Sequence, residues 1–263
     1  MQKPLVSVLM TSFNREKFID EAIKSVLSSV YENFELIIVD DVSKDKTVSI
    51  AQSYATKDER IKVYINPKNL GDYPNRNKAA GYAKGKYIKY LDSDDIMYPH
   101  CLEVMVDSME KFPEAGFGLS ASGDIEKPYP VCLSSREAYL EHFGGKGLFN
   151  RAPGSSIIKK IAFDSVGGFS GLRQVGDFEF WLKIGCYFPV VKFPVDLYWS
   201  RIHGEQEYSV HTEKEKQVLR LNVIKKIFSE EKVSLNKQEM EKIITTSKMS
   251  LLKKMIRKIK TAD

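Results

Sequence analysis

The segment Leu91-Asp92-Ser93-Asp94-Asp95-Ile96 places three carboxylates within four positions at the end of an apolar run. Like charges this close repel and raise one another's pKa unless a cation lies among them. An oxygen-rich, sulfur-free cluster suits Mg2+ or Mn2+, often with substrate phosphates completing the shell. The competing reading is an acidic turn in which Asp95 caps the next helix.

Five further places carry chemistry. Asp41 ends a second apolar run. If its ligand is a nucleotide, an ionised carboxylate accepts hydrogen bonds and favours a uracil, thymine or guanine edge over cytosine. An Asx-turn or helix cap made by Asp40 or Asp41 is the alternative. Thr11 and Phe13 follow the first apolar run and can bind a base edge and stack on its face, or simply pack locally. Arg76 follows a loop holding Pro67, Gly71 and Pro74, and there can reach a diphosphate or grip the acidic cluster in a bidentate pair; a surface ion pair is the plainer reading. Asp177 opens a helix, where a lone acid is normally a cap. Glu179 stands only two residues on, so one of the two, not both, faces any site. His203 lies just past a strand, and a lone histidine there is no ligand by itself.

These residues need a frame. Leu5–Met10, Leu36–Val39, Ile61–Ile65 and Tyr87–Leu91 read as strands, and Leu36-Ile37-Ile38-Val39 is apolar enough for a buried parallel strand. Helical patterns lie between them: from Glu16 through Leu27, after Ser43 as a plausible N-cap, and around Asn77–Ala83. Alternation of this kind builds a mainly parallel α/β sheet, whose ligands gather at the carboxyl ends of the strands. Three strands here end in TSFN, DD and DSDD. The second part is more irregular: a helix over Tyr98–Phe112, short helices at Ala138–Phe143 and Ile161–Val166, a strand at Ser155–Ile158, a helix opening near Asp177, and strands at Val190–Phe193 and Leu197–Ile202. From about Thr212 the composition is helical.

A chain of 263 residues can bury a sizeable core. No stretch is apolar enough for a membrane span or a signal peptide, and Cys101, Cys132 and Cys186 lack metal-ligand spacing, which together predict a cytoplasmic chain with buried thiols. Of the net charge of +5, a single segment could supply all, since Lys248–Lys260 holds six lysines and arginines and no acid. The remainder is nearly balanced, which argues against nucleic acid as a partner. In that last segment Met249, Leu252, Ile256 and Ile259 form one stripe. It suits packing on its own domain, a homodimer contact, or an anionic membrane surface.

Taken in order, VSVLMTSFNRE, ELIIVDDVSKD, GDYPNRNKAAGYAKGKYIKYLDSDD, SSIIKKIAFDSVGGF, GDFEFWLKI and RIHG resemble a family 2 glycosyltransferase of the GT-A fold, from Val6 to about Val210. The resemblance implies an α/β domain over 1–211, with a nucleotide-binding half at 1–97 and an acceptor and catalytic-base half at 98–211, followed by a basic helical extension at 212–263. It implies that Thr11, Phe13 and Asp41 take the nucleoside and that Arg76 lines the donor site. Asp92-Ser93-Asp94 matches the family's Asp-any-Asp motif: Asp94 would hold Mn2+ or Mg2+, and Asp92, with Ser93, would lie near the ribose and sugar. Asp177 matches the general base, and His203 a late histidine near the metal and diphosphate. Gly176 departs from the family, which often has an acid before the base.

The implied reaction is inverting transfer of one sugar from a UDP- or dTDP-sugar, or a GDP-sugar, to a saccharide or lipid-linked acceptor. The implied setting is bacterial surface-polysaccharide or glycolipid synthesis at the inner face of the cell membrane. The Gln-any-any-Arg-Trp motif of processive synthases is missing after Trp181. Two other readings are a nucleotidyltransferase that makes the nucleotide sugar and a non-catalytic nucleotide-sugar-binding protein.

Overall fold

The computed structural model describes residues 3–121, 128–204 and 213–260; the side chains of 213, 214, 250 and 252–260 lie outside that description. The first strand, β1 (Val6–Ser12), is buried on both faces. Val6, Val8 and Met10 enter one core while Leu9 enters the other. It therefore sits inside the sheet, with β2 (Phe34–Asp40) on one side and β4 (Tyr87–Tyr90) on the other, both parallel to it. β3 (Ile61–Ile65) extends this parallel set beyond β2.

The eight-stranded sheet runs β3-β2-β1-β4-β8-β6-β9-β7. β8 (Ser156–Lys159) is antiparallel to both β4 and β6 (Phe117–Ser120), β9 (Val190–Phe193) is parallel to β6, and β7 (Val131–Leu133) runs antiparallel at the edge. The sheet is thus mainly parallel, with helices on both faces. α1 (Ile19–Leu27), α2 (Thr47–Ala55) and α4 (Cys101–Glu110) cover one face; α3 (Asp72–Tyr82), α5 (Ser135–Glu141), α6 (Lys160–Ser165) and α7 (Gly176–Tyr187) cover the other. A small antiparallel pair, β5 (Ile96–Met97) with β10 (Tyr198–Trp199), lies just beyond the acidic motif.

Two helices complete the described chain, α8 (Glu213–Glu230) and α9 (Lys237–Lys260). Val223, Ile224 and Ile227 of α8 are buried in the same core as Phe178 and Trp181 of α7, so the helical extension packs on the helix that carries Asp177. The stripe proposed for the tail falls mostly outside the described side chains: Met249 is half-exposed, and Leu252, Ile256 and Ile259 are not described.

Several boundaries differ from the sequence reading, each for a local reason. α2 starts at Thr47 rather than after Ser43, because Ser43 donates both its N–H and its hydroxyl to Asp40. The Thr47 N–H is met by Asp45 instead. α3 starts at Asp72 rather than near Asn77, because Pro74 falls in the first turn, where a missing N–H costs nothing. Where Leu197–Ile202 reads as a strand, only Tyr198 and Trp199 pair.

Candidate active site

The chain leaves β1 to build β2 and β3 on one side, then returns to place β4 on the other. This makes a topological switch point between β1 and β4, the usual crevice for a ligand in an open α/β sheet. The polar strand ends meet along that edge. Ser12 lies opposite Asp40 in register and its hydroxyl donates to the Asp40 carboxylate at 3.0 Å. Beyond each strand the backbone turns sharply: Asn14 and Val42 take left-handed φ values of 52° and 70°, the second costly for a β-branched residue.

The acidic motif follows β4. One ligand oxygen from each of Asp92, Asp94 and Asp95 can be chosen so that all lie within 4.8 Å of one another. The donor set is oxygen alone, and carboxylates converging this closely fit a hard divalent cation. Burial, reinforced by the neighbouring charges of Asp92 and Asp94, pushes the Asp95 carboxyl up to about 7. Asp95 also accepts the Arg201 backbone N–H at 3.0 Å, so it supports the turn as well as carrying charge.

Asp94 Oδ2 meets two cation-capable groups, Arg15 Nε at 3.0 Å and His203 Nε2 at 2.9 Å. The structure therefore brings His203 to Asp94 across a long stretch of sequence, and Phe18 holds the imidazole at a ring separation of 4.7 Å. Arg76 is buried and grips two carboxylates, Asp72 through Nε and Asp92 through Nη2, each at 2.7 Å. Burial opposes its charge, but Asp72 and Asp92 outweigh this and raise its pKa well above the ordinary value. Its Nη1 is fully buried and, among the described residues, has no hydrogen-bond partner. Ser93 is buried between the two aspartates.

Behind the motif, Lys89 of β4 is completely buried. Its ammonium donates to the carbonyl of Tyr90 at 2.8 Å and to that of Gly154, which fastens the 153–155 turn to the strand that carries the acids. Burial lowers its pKa.

At the end of β2, Asp40 makes the local turn with Ser43 and leaves Asp41 for longer-range work. The Asp41 carboxylate accepts from Asn66 Nδ2 and the Leu70 N–H at 2.8 Å and from the Gly71 N–H at 2.8 Å. It anchors the 66–71 loop to the end of β2. Thr11 is partly buried near the end of β1, and Phe13 is exposed just after it.

Asp177 lies in the first turn of α7, with Oδ1 accepting the Phe178 N–H at 2.7 Å. Burial raises its pKa; the Phe178 N–H, Arg220 and Arg76 oppose the rise. Arg76 thus acts on both the acidic motif and Asp177, which places the two in one electrostatic site. Glu179 diverges, as a two-residue helical spacing demands: its carboxylate is buried against the Ser170 hydroxyl and Lys226 of α8. Tyr73, Asp72, Arg15, Lys89 and Arg201 belong to the site but carried no readable sequence signal. All five nonetheless lay in or beside segments already of interest: Arg15 in VSVLMTSFNRE, Asp72, Tyr73 and Lys89 in GDYPNRNKAAGYAKGKYIKYLDSDD, and Arg201 in RIHG.

An acid cluster and a buried arginine at the switch point of a mainly parallel sheet, with a helical C-terminal extension, define a GT-A type of nucleotide-sugar transferase fold. The family described as glycosyl transferase family 2 matches residues 7–175, and the chain belongs to it. A glycosyltransferase of Methanocaldococcus jannaschii, itself described as uncharacterized, is 32% identical over 236 residues, covering 81% of this chain and 79% of that one. Among solved structures, TarS 1-349 of S. aureus in complex with UDP-GlcNAc superposes with a TM-score of 0.69 at 20% identity, over 91% of this chain and 70% of that one. The mannosyltransferase PcManGT of Pyrobaculum calidifontis, in complex with GDP-Man and Mn2+, gives 0.67 at 17% identity, over 95% and 70%. Among the described residues, no helix is long and apolar enough to cross a membrane.

Proposed function

We propose that the chain moves a single sugar from a nucleotide-diphosphate sugar to an acceptor hydroxyl, with inversion at the anomeric carbon. One observation carries this reading most: three convergent carboxylates beside a buried arginine whose Nη1 lacks a partner. Carboxylates alone suit a cation; a partnerless guanidinium N–H beside them suits phosphate oxygens. Asp94, with Asp92 and Asp95 beside it and His203 on its Oδ2, would hold the divalent ion, which when bound offsets charge developing on the leaving diphosphate.

Within that frame the chain's own groups divide the work. Arg76 supports the diphosphate, and Asp92 and Ser93 border the ribose and sugar. Thr11, Phe13 and Asp41 border the nucleoside, Asp41 partly by shaping the 66–71 loop. Asp177 takes the proton from the acceptor hydroxyl as its oxygen attacks opposite the leaving group. A pKa raised by burial suits it to that task, because a base works best near the operating pH. Alignment of donor and acceptor supplies much of the rest.

A uracil- or thymine-based donor is favoured because Asp41 offers only acceptor oxygens, and a guanine base meets the same edge. TarS with UDP-GlcNAc and PcManGT with GDP-Man and Mn2+ show that this fold accommodates both kinds of base. The acceptor is a saccharide or a lipid-linked saccharide of surface-polysaccharide or glycolipid synthesis, met by a cytoplasmic enzyme at the membrane face through its basic tail. Calorimetry with UDP-, dTDP- and GDP-sugars, each in Mn2+ and in chelator, tests the donor side. One class should bind, and only with metal. Binding of none, or equal binding in chelator, overturns the reading.

A further inference from the structure

We propose that Tyr73 positions the catalytic base: its hydroxyl caps the helix that carries Asp177, and residue 176 is glycine so that the tyrosine ring can lie there. This rests on the reading of Asp177 as the base.

The first N–H groups of a helix have no partner within it and are normally met by a side-chain oxygen on the residue before the first turn. The residue flanking α7 is Val175, which has no such oxygen and makes no side-chain cap. The Asp177 N–H instead donates to Tyr73 Oη at 3.1 Å, across 104 residues of sequence. The cap comes from the nucleotide-binding half of the molecule.

Space around residue 176 explains the glycine. A Cβ added there would stand 2.7–2.9 Å from three atoms of the Tyr73 ring, well inside any real contact. The ring cannot retreat freely, being buried and packed on Phe169 at a ring separation of 5.1 Å. An acidic side chain at 176 would occupy the place of the phenol. In this chain the tyrosine stands there and does the holding.

The consequence falls on the carboxylate. Capping fixes the backbone of Asp177, and Oδ1 is further tied to the Phe178 N–H. Among the described residues Oδ2 accepts no hydrogen bond, which leaves it available to an acceptor hydroxyl. Tyr73 also shares its helical turn with Asp72 and Arg76, and Arg76 reaches Asp92. One turn of α3 therefore holds the donor-side arginine and sets the base.

The test is Tyr73→Phe, which keeps the ring and removes the cap. Turnover number should fall about tenfold or more, since small misplacement of a reacting group is costly. The donor Kd and KM should stay within about twofold, the mark of an interaction that acts on the reacting geometry and not on ground-state binding. In the Asp177→Asn background the same change should cost nothing further, because the cap acts only through Asp177. Gly176→Ala should reproduce the loss by pushing the ring aside. Wild-type turnover in Tyr73→Phe, a parallel loss of donor affinity, or additive losses in the double variant each overturn the proposal while leaving the base assignment standing. Normal turnover in Asp177→Asn alone overturns the base assignment itself, and the proposal with it.

Discussion

His142 gives the protein an acid-sensitive point beside the helix that carries Asp177. Its ring is buried against Phe143, Phe149 and Phe178, the last adjacent to Asp177, and Nδ1 accepts the Phe149 N–H at 2.9 Å. Burial, with a smaller contribution from Arg220, pushes its pKa from the ordinary 6.5 down to about 3. The folded state therefore refuses a proton that the unfolded chain accepts. Stability from this group is complete above about pH 6.5 and is lost as the pH falls toward 3. At pH 5 the two pKa values give a loss of about 2 kcal/mol, from RT ln of the ratio of unfolded to folded proton-binding polynomials. For a chain of this size that is roughly 4–8 °C in melting temperature. Replacing His142 with Asn keeps an acceptor for the Phe149 N–H and cannot titrate. Thermal melts at pH 8 and pH 5 should show wild type losing about 2 kcal/mol more than His142→Asn. Equal losses in the two proteins would refute the argument.

Three other outcomes follow from the site and the tail. Asp94→Asn should weaken metal-dependent donor binding in calorimetry, and unchanged binding in saturating Mn2+ and in chelator alike counts against Asp94 as the anchor. Glu179→Gln should cost about 1 kcal/mol of stability, because the buried carboxylate's hydrogen bonds to Ser170 and to half-exposed Lys226 lose their charge assistance, yet keep turnover within a few-fold; a dead Glu179→Gln beside an active Asp177→Asn would move the base to Glu179. Ending the chain after Ser247 should reduce co-sedimentation with anionic vesicles, since each basic residue near such a surface adds about 1 kcal/mol. Binding should also fall at high salt, and indifference of both forms to vesicles at low salt removes the membrane role.

The first half of the fold was legible because its strands are continuous apolar runs, and Ile61–Ile65 appears with the same bounds in the structure. The two- and three-residue strands β5 and β7 were not, since pairing that short leaves no periodicity to read, and β10 was read too long, as Leu197–Ile202. Pro74 was misread as loop chemistry when it serves a first helical turn. The acids of the site stood out by their clustering. What held them did not: Tyr73, Arg15 and Lys89 matter only because folding brings them to Asp177, Asp94 and the back of the acidic strand. Asp41 shows the opposite case, a residue noticed for a ligand that the structure also uses to fasten a loop.

Asp177 as the base of an inverting sugar transfer is open to direct measurement. Single-turnover transfer from the nucleotide sugar that binds, compared between wild type and Asp177→Asn with the donor Kd measured alongside, tests it most directly. A loss of roughly 100-fold or more in the transfer rate is expected, with donor affinity unchanged. Transfer by Asp177→Asn at the wild-type rate would contradict it.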